Sequence, residues 1–465
     1  MIVNLEVFIM LGFKNVWKQI CSFFGTNPKQ VDKITPQQMS KNNGKLESAL
    51  APYPELLGYQ QVINATYVAI LEEVEKYPNV NVDSIFIDLD KTVISKKAAS
   101  IEKVFSNLRR KTGFNGTVLY AEQGRIIYEG AWGFRNVRSR KDELQIDDIF
   151  QLSSVSKMFT AEAIMILRSQ GKIDYDVDIR QYIPEFPYEG ITTRLLLNHR
   201  SGLPRYESMA DAHWPDRKQP FLNDDMIEYY VKYVPTPYFK PDKGFNYSNV
   251  NYALLASIVE RVSGISFADF MKENVFDPVG MDNSYIYEMR DDTTVSMYIE
   301  DVVQGYYLGR RRPMQAQNEY LNGVKGDKIM MSNTKDMFRF WTAVDYGLYV
   351  PDSIQDEAFK PGRPKSRKRK DNYGFGWRIP SKYPGCYYHY GWWKGYRSFF
   401  IRDDVNDKTL IILTNTDKGP GSDHFWKIIN DKTNNIAPAS VNIPYWEITE
   451  GRRFPHSSYR YRIID

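Results

Sequence analysis

FQLSSVSKMFTAEA, Phe150 to Ala163, sets three serines around one lysine and runs on into apolar residues. Ser-x-x-Lys spacing alone decides nothing, because it recurs at Ser100/Lys103, Ser169/Lys172 and Ser332/Lys335. The setting of Ser154 and Lys157 separates this copy. Phe150 and Leu152 precede it, and Met158, Phe159, Ala161, Ile164, Met165 and Leu167 follow at helical spacing, which predicts a helix with a buried face. Ser153 or Ser154 is expected to cap its start and Gly171 to end it. A serine in the first turn lies near unpaired N–H groups and the positive end of the helix dipole. A lysine three residues on shares its side. If that side faces a closed cleft, loss of water favours a neutral amine able to take the serine proton. Read alone, the pair has a simpler meaning: a cap followed by a solvated lysine.

Outward from this stretch the periodicity changes. FNGTVLYAEQGRIIYEGAWGFRN, 114–136, alternates apolar residues about Gln123-Gly124 and predicts a β-hairpin behind a helix near Lys96–Lys111. From Ile173 to about Arg290 the chain reads as helix and loop. Strands return in YGFGWRI, YYHYGWWKGYRSFFIR and TLIILTNT, followed by the helical DHFWKIINDK. Strands at both ends with helices between them imply an α/β (α+β) fold. Its antiparallel sheet is flanked by helices and interrupted by a mostly helical part over about 150–340, with a cleft between. Residues 1–95 form a partly helical extension of unassigned role, with a helix near Ile63–Val74 and a strand over 83–90; 96–433 form the main domain and 434–465 a polar tail.

A chain of 465 residues with 42% hydrophobic and 25% charged residues can bury a large core. A net charge of +4 gives no general case for nucleic-acid binding. Two cysteines, Cys21 and Cys386, make no disulfide framework, and five scattered histidines make no zinc pattern, so no metal and no cofactor are expected. MIVNLEVFIMLGF at the start is apolar but short, with its lysines after rather than before it. It reads equally as an imperfect export or anchor segment and as a buried helix, leaving open a peripheral or N-terminal membrane association. The insertion KPGRPKSRKRKD, 360–371, carries seven basic residues. Its plain reading is a solvated loop, and the alternative is a contact with anionic wall or membrane polymers.

Two further stretches carry chemistry. Tyr247-Ser248-Asn249 sits in a Pro/Gly-marked loop just before the apolar NYALLASIVERVSG, where ligand-facing side chains are favoured. A tyrosine hydroxyl beside an ammonium can shuttle protons, and Asn249 could hold a substrate carbonyl. YYHYGWWKGYRSFF reads as a strand, a Lys394-Gly395 turn and a second strand. Gly391 lets backbone approach a ligand, and the N–H of Trp392 could join that of Ser154 in an oxyanion hole.

In this order, the three stretches resemble the serine β-lactamase-like family, which includes penicillin-binding carboxypeptidases, class C β-lactamases and related esterases. The resemblance runs from about Phe105 to Lys432. It also takes in the 116–134 hairpin, TTRLLLNHRSGLP, PVGMDNS, MMSNTKDMFRF and YGFGW. It implies a β-lactamase/transpeptidase-like fold and a serine hydrolase working through an acyl-enzyme on an ester, amide or D-amino-acid peptide bond. Ser154 would be the nucleophile, Lys157 its base and Tyr247 the relay to the leaving group. Asn249, His389, Gly391 and Trp392 would bind a small-molecule or peptidoglycan-like substrate. A location in the cell envelope is implied; the oligomeric state is not. The alternative is a catalytically silent relative that binds peptidoglycan or peptide ligands. The third stretch departs from the family pattern, with His389-Tyr390-Gly391 where the best-known β-lactamases carry lysine. Lys394 or Arg397 across the turn is the expected substitute for that cation.

Overall fold

A computed structural model describes residues 91–290, 294–309, 311–363 and 371–433. The expected N-terminal segment, the helix near Ile63–Val74, the strand over 83–90, residues 364–370 of the basic insertion and the tail from 434 lie outside the described residues. Helix α1 (Lys91–Thr112) leads into β1 (Gly116–Glu122) and β2 (Arg125–Trp132). The turn between them is the expected one: Gln123 and Gly124 have φ of 55° and 68°, the left-handed pair that a two-residue hairpin needs. A small hairpin, β3 (Phe134–Asn136) and β4 (Lys141–Glu143), and β5 (Phe150–Gln151) follow. The long middle of the chain holds α2 (Ser156–Ser169), α3 (Tyr206–His213), α4 (Asn249–Ser263) and β6 (Tyr285–Ile286). After it come the hairpin β7 (Tyr306–Leu308) and β8 (Pro313–Gln315), then β9 (Met330–Ser332) and α5 (Thr334–Asp345). The chain returns through β10 (Asp371–Tyr373), β11 (Arg378–Pro380), β12 (Cys386–Trp393), β13 (Tyr396–Asp403) and β14 (Lys408–Thr414) and ends in α6 (Ser422–Ile429).

The main sheet runs β10-β11-β12-β13-β14-β1-β2, antiparallel throughout. β14 pairs with β1, Gly116 opposite Thr414, so the early and late parts of the chain meet at the sheet centre. Both strands are buried along their whole length because both faces are covered. Val118 and Tyr120 pack with Phe105 of α1 and Phe425 of α6 on one face. Leu119, Ile411 and Leu413 pack with Phe159 and Ile164 of α2 on the other. Alternation of side chains thus lets each strand serve two cores.

The α2 helix differs from expectation at its start. Neither Ser153 nor Ser154 caps it: a 3-10 turn, Ser153–Val155, comes first, Val155 stands at the N-cap, and no side-chain cap bond forms. The Ser156 hydroxyl instead accepts the Met330 N–H at 3.2 Å. The far end is as expected, with Gly171 at φ 70°.

Nor is α2 one-sided, since Ser156 through Leu167 are all buried, Glu162 included. Burial pushes the Glu162 carboxyl from 4.5 up to about 8. The folded chain therefore keeps a proton that the unfolded chain releases above about pH 4.5, and stability falls as pH rises through that window towards about 8. Glu162→Gln is expected to flatten this slope, measured as the denaturant midpoint from pH 4.5 to 9; an unchanged slope would place the titration elsewhere.

Candidate active site

The turn carrying Ser154 hangs between two elements. The Leu152 N–H donates to the Met330 carbonyl at 2.8 Å, and the Leu152 carbonyl accepts from the Ser398 hydroxyl on β13. Gly391 of β12 lies against the same turn. A Cβ at this position would stand 2.4 Å from the Leu152 carbonyl oxygen and 2.8 Å from Ser153 Cβ, so only hydrogen fits. Ser153 has φ of 51°, an uncommon state for a residue with a side chain and one that costs of order 1 kcal/mol. The packing of β12 and β9 around the turn holds it there. Ser154 is left half-buried while Lys157 is wholly buried.

Lys157 Nζ has three polar neighbours: Ser154 Oγ at 3.2 Å, Asn249 Oδ1 at 2.8 Å and the Asp327 carbonyl at 2.7 Å. The last two can only accept, so they take two N–H bonds. Ser154 Oγ can accept or donate, and a neutral amine with two hydrogens so engaged has its lone pair left for the serine O–H. The acceptors are themselves fixed. Asn249 Nδ2 donates to Glu207 Oε1 of α3 at 2.7 Å, which turns Oδ1 towards Lys157. Asp327 and Lys328 form a buried ion pair at 3.2 Å. Tyr206 joins them, accepting from Lys328 at 2.6 Å and donating to Asp327 Oδ2 at 2.9 Å.

Tyr247 lies beside this group, its ring centre 5.2 Å from Lys157 Nζ. Its hydroxyl is buried with no hydrogen-bond partner among the described residues. His199 packs against the ring, centroids 4.3 Å apart and planes tilted by 41°. Its Nδ1 accepts from the Ser248 N–H at 3.3 Å and faces Asn251 Nδ2 at 2.9 Å, which puts the proton on Nε2. Burial first, then the charges of Lys157 and Arg378, holds His199 well below its ordinary pKa, so it packs as a neutral ring.

The third stretch is arranged differently from the expectation. His389 is wholly buried and turns both ring nitrogens inward, Nε2 to the Tyr373 hydroxyl at 3.0 Å and Nδ1 to the Tyr390 carbonyl at 2.9 Å. Burial, with Arg378 and Lys157 nearby, holds it well below its usual pKa. It supports β12 and offers no free charge. Lys394 and Arg397 do not replace that charge either. Lys394 pairs with Glu319 at 2.6 Å, and Arg397 donates to the Pro420 carbonyl at 2.8 Å.

The cation beside the site is Arg378 of β11. Its guanidinium carbon lies 4.9 Å from the Tyr247 ring centre and 4.7 Å from that of Tyr390. Its Nε is buried without an acceptor, and no carboxylate pairs with it among the described residues. The Trp392 indole is more than half exposed at the same edge. Sequence reasoning thus missed Arg378, Glu207 and the Asp327 carbonyl. Of these only Arg378 had a local signal, a cation in the aromatic-glycine stretch YGFGWRI, which the structure folds as a turn between β10 and β11 rather than as one strand.

Comparison with known proteins bears on the family and the fold. The Beta-lactamase family model matches residues 101–433. One of the penicillin-binding proteins of Bacillus subtilis (strain 168) is 36% identical over 331 residues, 69% of this chain and 72% of that protein. A D-aminopeptidase of Brucella anthropi is 27% identical over 204 residues, 43% of this chain and 38% of that protein. The crystal structure of a penicillin-binding protein from Bacillus halodurans shares the fold, with a TM-score of 0.60 at 22% identity over 70% of this chain and 97% of that one. With its sheet, its Ser154–Lys157 turn and a match over most of its length, the chain belongs to the beta-lactamase family.

Proposed function

We propose that the chain is a serine hydrolase that cleaves a peptide, amide or ester bond next to a D-amino acid through an acyl-enzyme. The observation that carries this reading is the anchoring of Lys157 Nζ by Asn249 Oδ1 and the Asp327 carbonyl, with Ser154 Oγ as its one hydroxyl partner among the described residues. In the proposed reaction Lys157 removes the Ser154 proton as Oγ attacks the carbonyl carbon. The N–H groups of Ser154 and Trp392 hold the developing oxyanion, an arrangement in which each donor is worth roughly 2.7–4 kcal/mol. The Tyr247 hydroxyl, which has no hydrogen-bond partner among the described residues, passes a proton to the leaving nitrogen or oxygen. The proton held by Lys157 then replaces the one Tyr247 gave up. Water attacks the Ser154 ester, the amine relays one of the water protons to Ser154 Oγ as the acyl–oxygen bond breaks, and the acid leaves with the amine neutral again.

Glu207 serves this scheme as the group that orients Asn249. Arg378 favours a substrate bearing a negative group near the scissile bond, because its guanidinium lies beside Tyr247 with no counter-ion among the described residues. A D-amino-acid substrate is supported by the D-aminopeptidase relative, and a place in the cell envelope by the penicillin-binding one. Among the described residues no helix is long and apolar enough to cross a membrane.

The test is covalent labelling. A fluorophosphonate or fluorescent penicillin is expected to attach to the wild type and not to Ser154→Ala. A folded wild type that no acylating probe modifies would instead favour a silent, ligand-binding relative.

A further inference from the structure

Away from this site, three loops far apart in the chain bring arginines together. Arg109 and Arg110 end α1, Arg138 and Arg140 lie in the β3–β4 turn, and Arg311 and Arg312 lie in the β7–β8 turn. They line one concavity of about 910 Å3, and none of its lining residues is acidic. Other arginines find acids: Arg135, in the same hairpin as Arg138, pairs with Asp148 at 2.7 Å, and Arg194, elsewhere in the fold, pairs with Asp176 at 2.7 Å.

In the basin the pattern is different. Arg109 donates to the Phe114 carbonyl at 2.8 Å and Arg110 to Asn107 at 2.9 Å, both uncharged acceptors. Arg138, Arg140, Arg311 and Arg312 have no hydrogen-bond or ion-pair partner among the described residues. The Arg109 guanidinium is held below its ordinary value, by burial first and then by the charge of Arg140, which shows how closely these cations crowd.

We propose that this basin binds a compact anion carrying several linked phosphate groups. The chemistry selects that class. A guanidinium presents a planar fork of N–H donors that matches two phosphate oxygens, and its charge is permanent. Six of them around one hollow repel each other within a screening length of about 8 Å, so their arrangement favours a ligand with several charges over a single-charge anion. The arginines converge on a concavity from three sides, which suits a short chain of phosphates better than the flat face of a bilayer. The basin is separate from the Ser154 site and its occupancy does not depend on the proposed hydrolysis.

Calorimetry on the full chain at low salt tests this, with sodium tripolyphosphate and orthophosphate as probes. Tripolyphosphate is expected to bind at least tenfold more tightly than orthophosphate and to weaken at least tenfold in the double variant Arg140→Gln/Arg311→Gln. Both residues are exposed, so the melting temperature and ester turnover should stay unchanged. Three results would overturn the proposal: wild-type affinity in that double variant, weakening only in Arg367→Gln/Arg369→Gln of the basic insertion, or binding to phosphatidylglycerol vesicles with none to tripolyphosphate.

Discussion

Lys157→Ala is expected to lower kcat/KM for an activated ester by roughly 10²–10⁴-fold, the range in which a positioned general base contributes. With Asn249 Oδ1 and the Asp327 carbonyl each taking an N–H, the amine is oriented before substrate arrives, and Ser154 Oγ lies 3.2 Å from it, within reach for proton transfer. Alanine removes the amine but leaves the Ser154 and Trp392 N–H groups in place, so some turnover should persist. The variant is expected to fold, because the vacated space adjoins half-buried Ser154 and water can satisfy Asn249 and Asp327. Steady-state kinetics, with circular dichroism to confirm the fold, decide the matter. Equal turnover in the variant would remove Lys157 from the base role and shift attention to Tyr247.

The parts of this site that the sequence made legible are those set by local rules. Ser154 and Lys157 stand three residues apart at the start of an apolar helical run, and that setting, more than the spacing, singled the pair out. From the sequence Gly391 is expected to let backbone approach a ligand; the close approach in the structure is to the Leu152–Ser153 turn that carries Ser154. The sheet was legible too: alternation marks a strand wherever it lies, and the left-handed pair Gln123-Gly124 marked its turn.

What stayed hidden depends on tertiary contacts between distant residues. The Asp327 carbonyl meets Lys157 across 170 positions, and Glu207 meets Asn249 across 42. A carbonyl has no sequence signature, and a carboxylate in a first helical turn reads as an ordinary dipole partner. The cap assignment failed for a related reason. Ser153 takes φ of 51° because strands β9 and β12 grip the turn, a constraint that local preference for capping cannot reveal. The same limit applies to His389. Its position in the strand was legible, but the inward bonds to Tyr373 and Tyr390 that take up both its nitrogens were not.

With His389 neutral and Lys394 and Arg397 committed elsewhere, recognition of an anionic substrate falls to Arg378. Arg378→Gln is therefore expected to cut kcat/KM for a substrate with a carboxylate beside the scissile bond by roughly 10–100-fold. That corresponds to about 1.5–3 kcal/mol, the usual worth of a hydrogen bond to a charged group. A neutral p-nitrophenyl ester should change little, and the loss should appear mainly in KM. Arg378→Lys is expected to recover only part of the loss, since an ammonium keeps the charge but not the two-pronged geometry. Added salt should raise KM for the anionic substrate in the wild type more than in the glutamine variant. An equal loss on both substrates would overturn this reading, because it would mean that the guanidinium acts by holding the Tyr247 ring, 4.9 Å away, rather than by meeting the substrate.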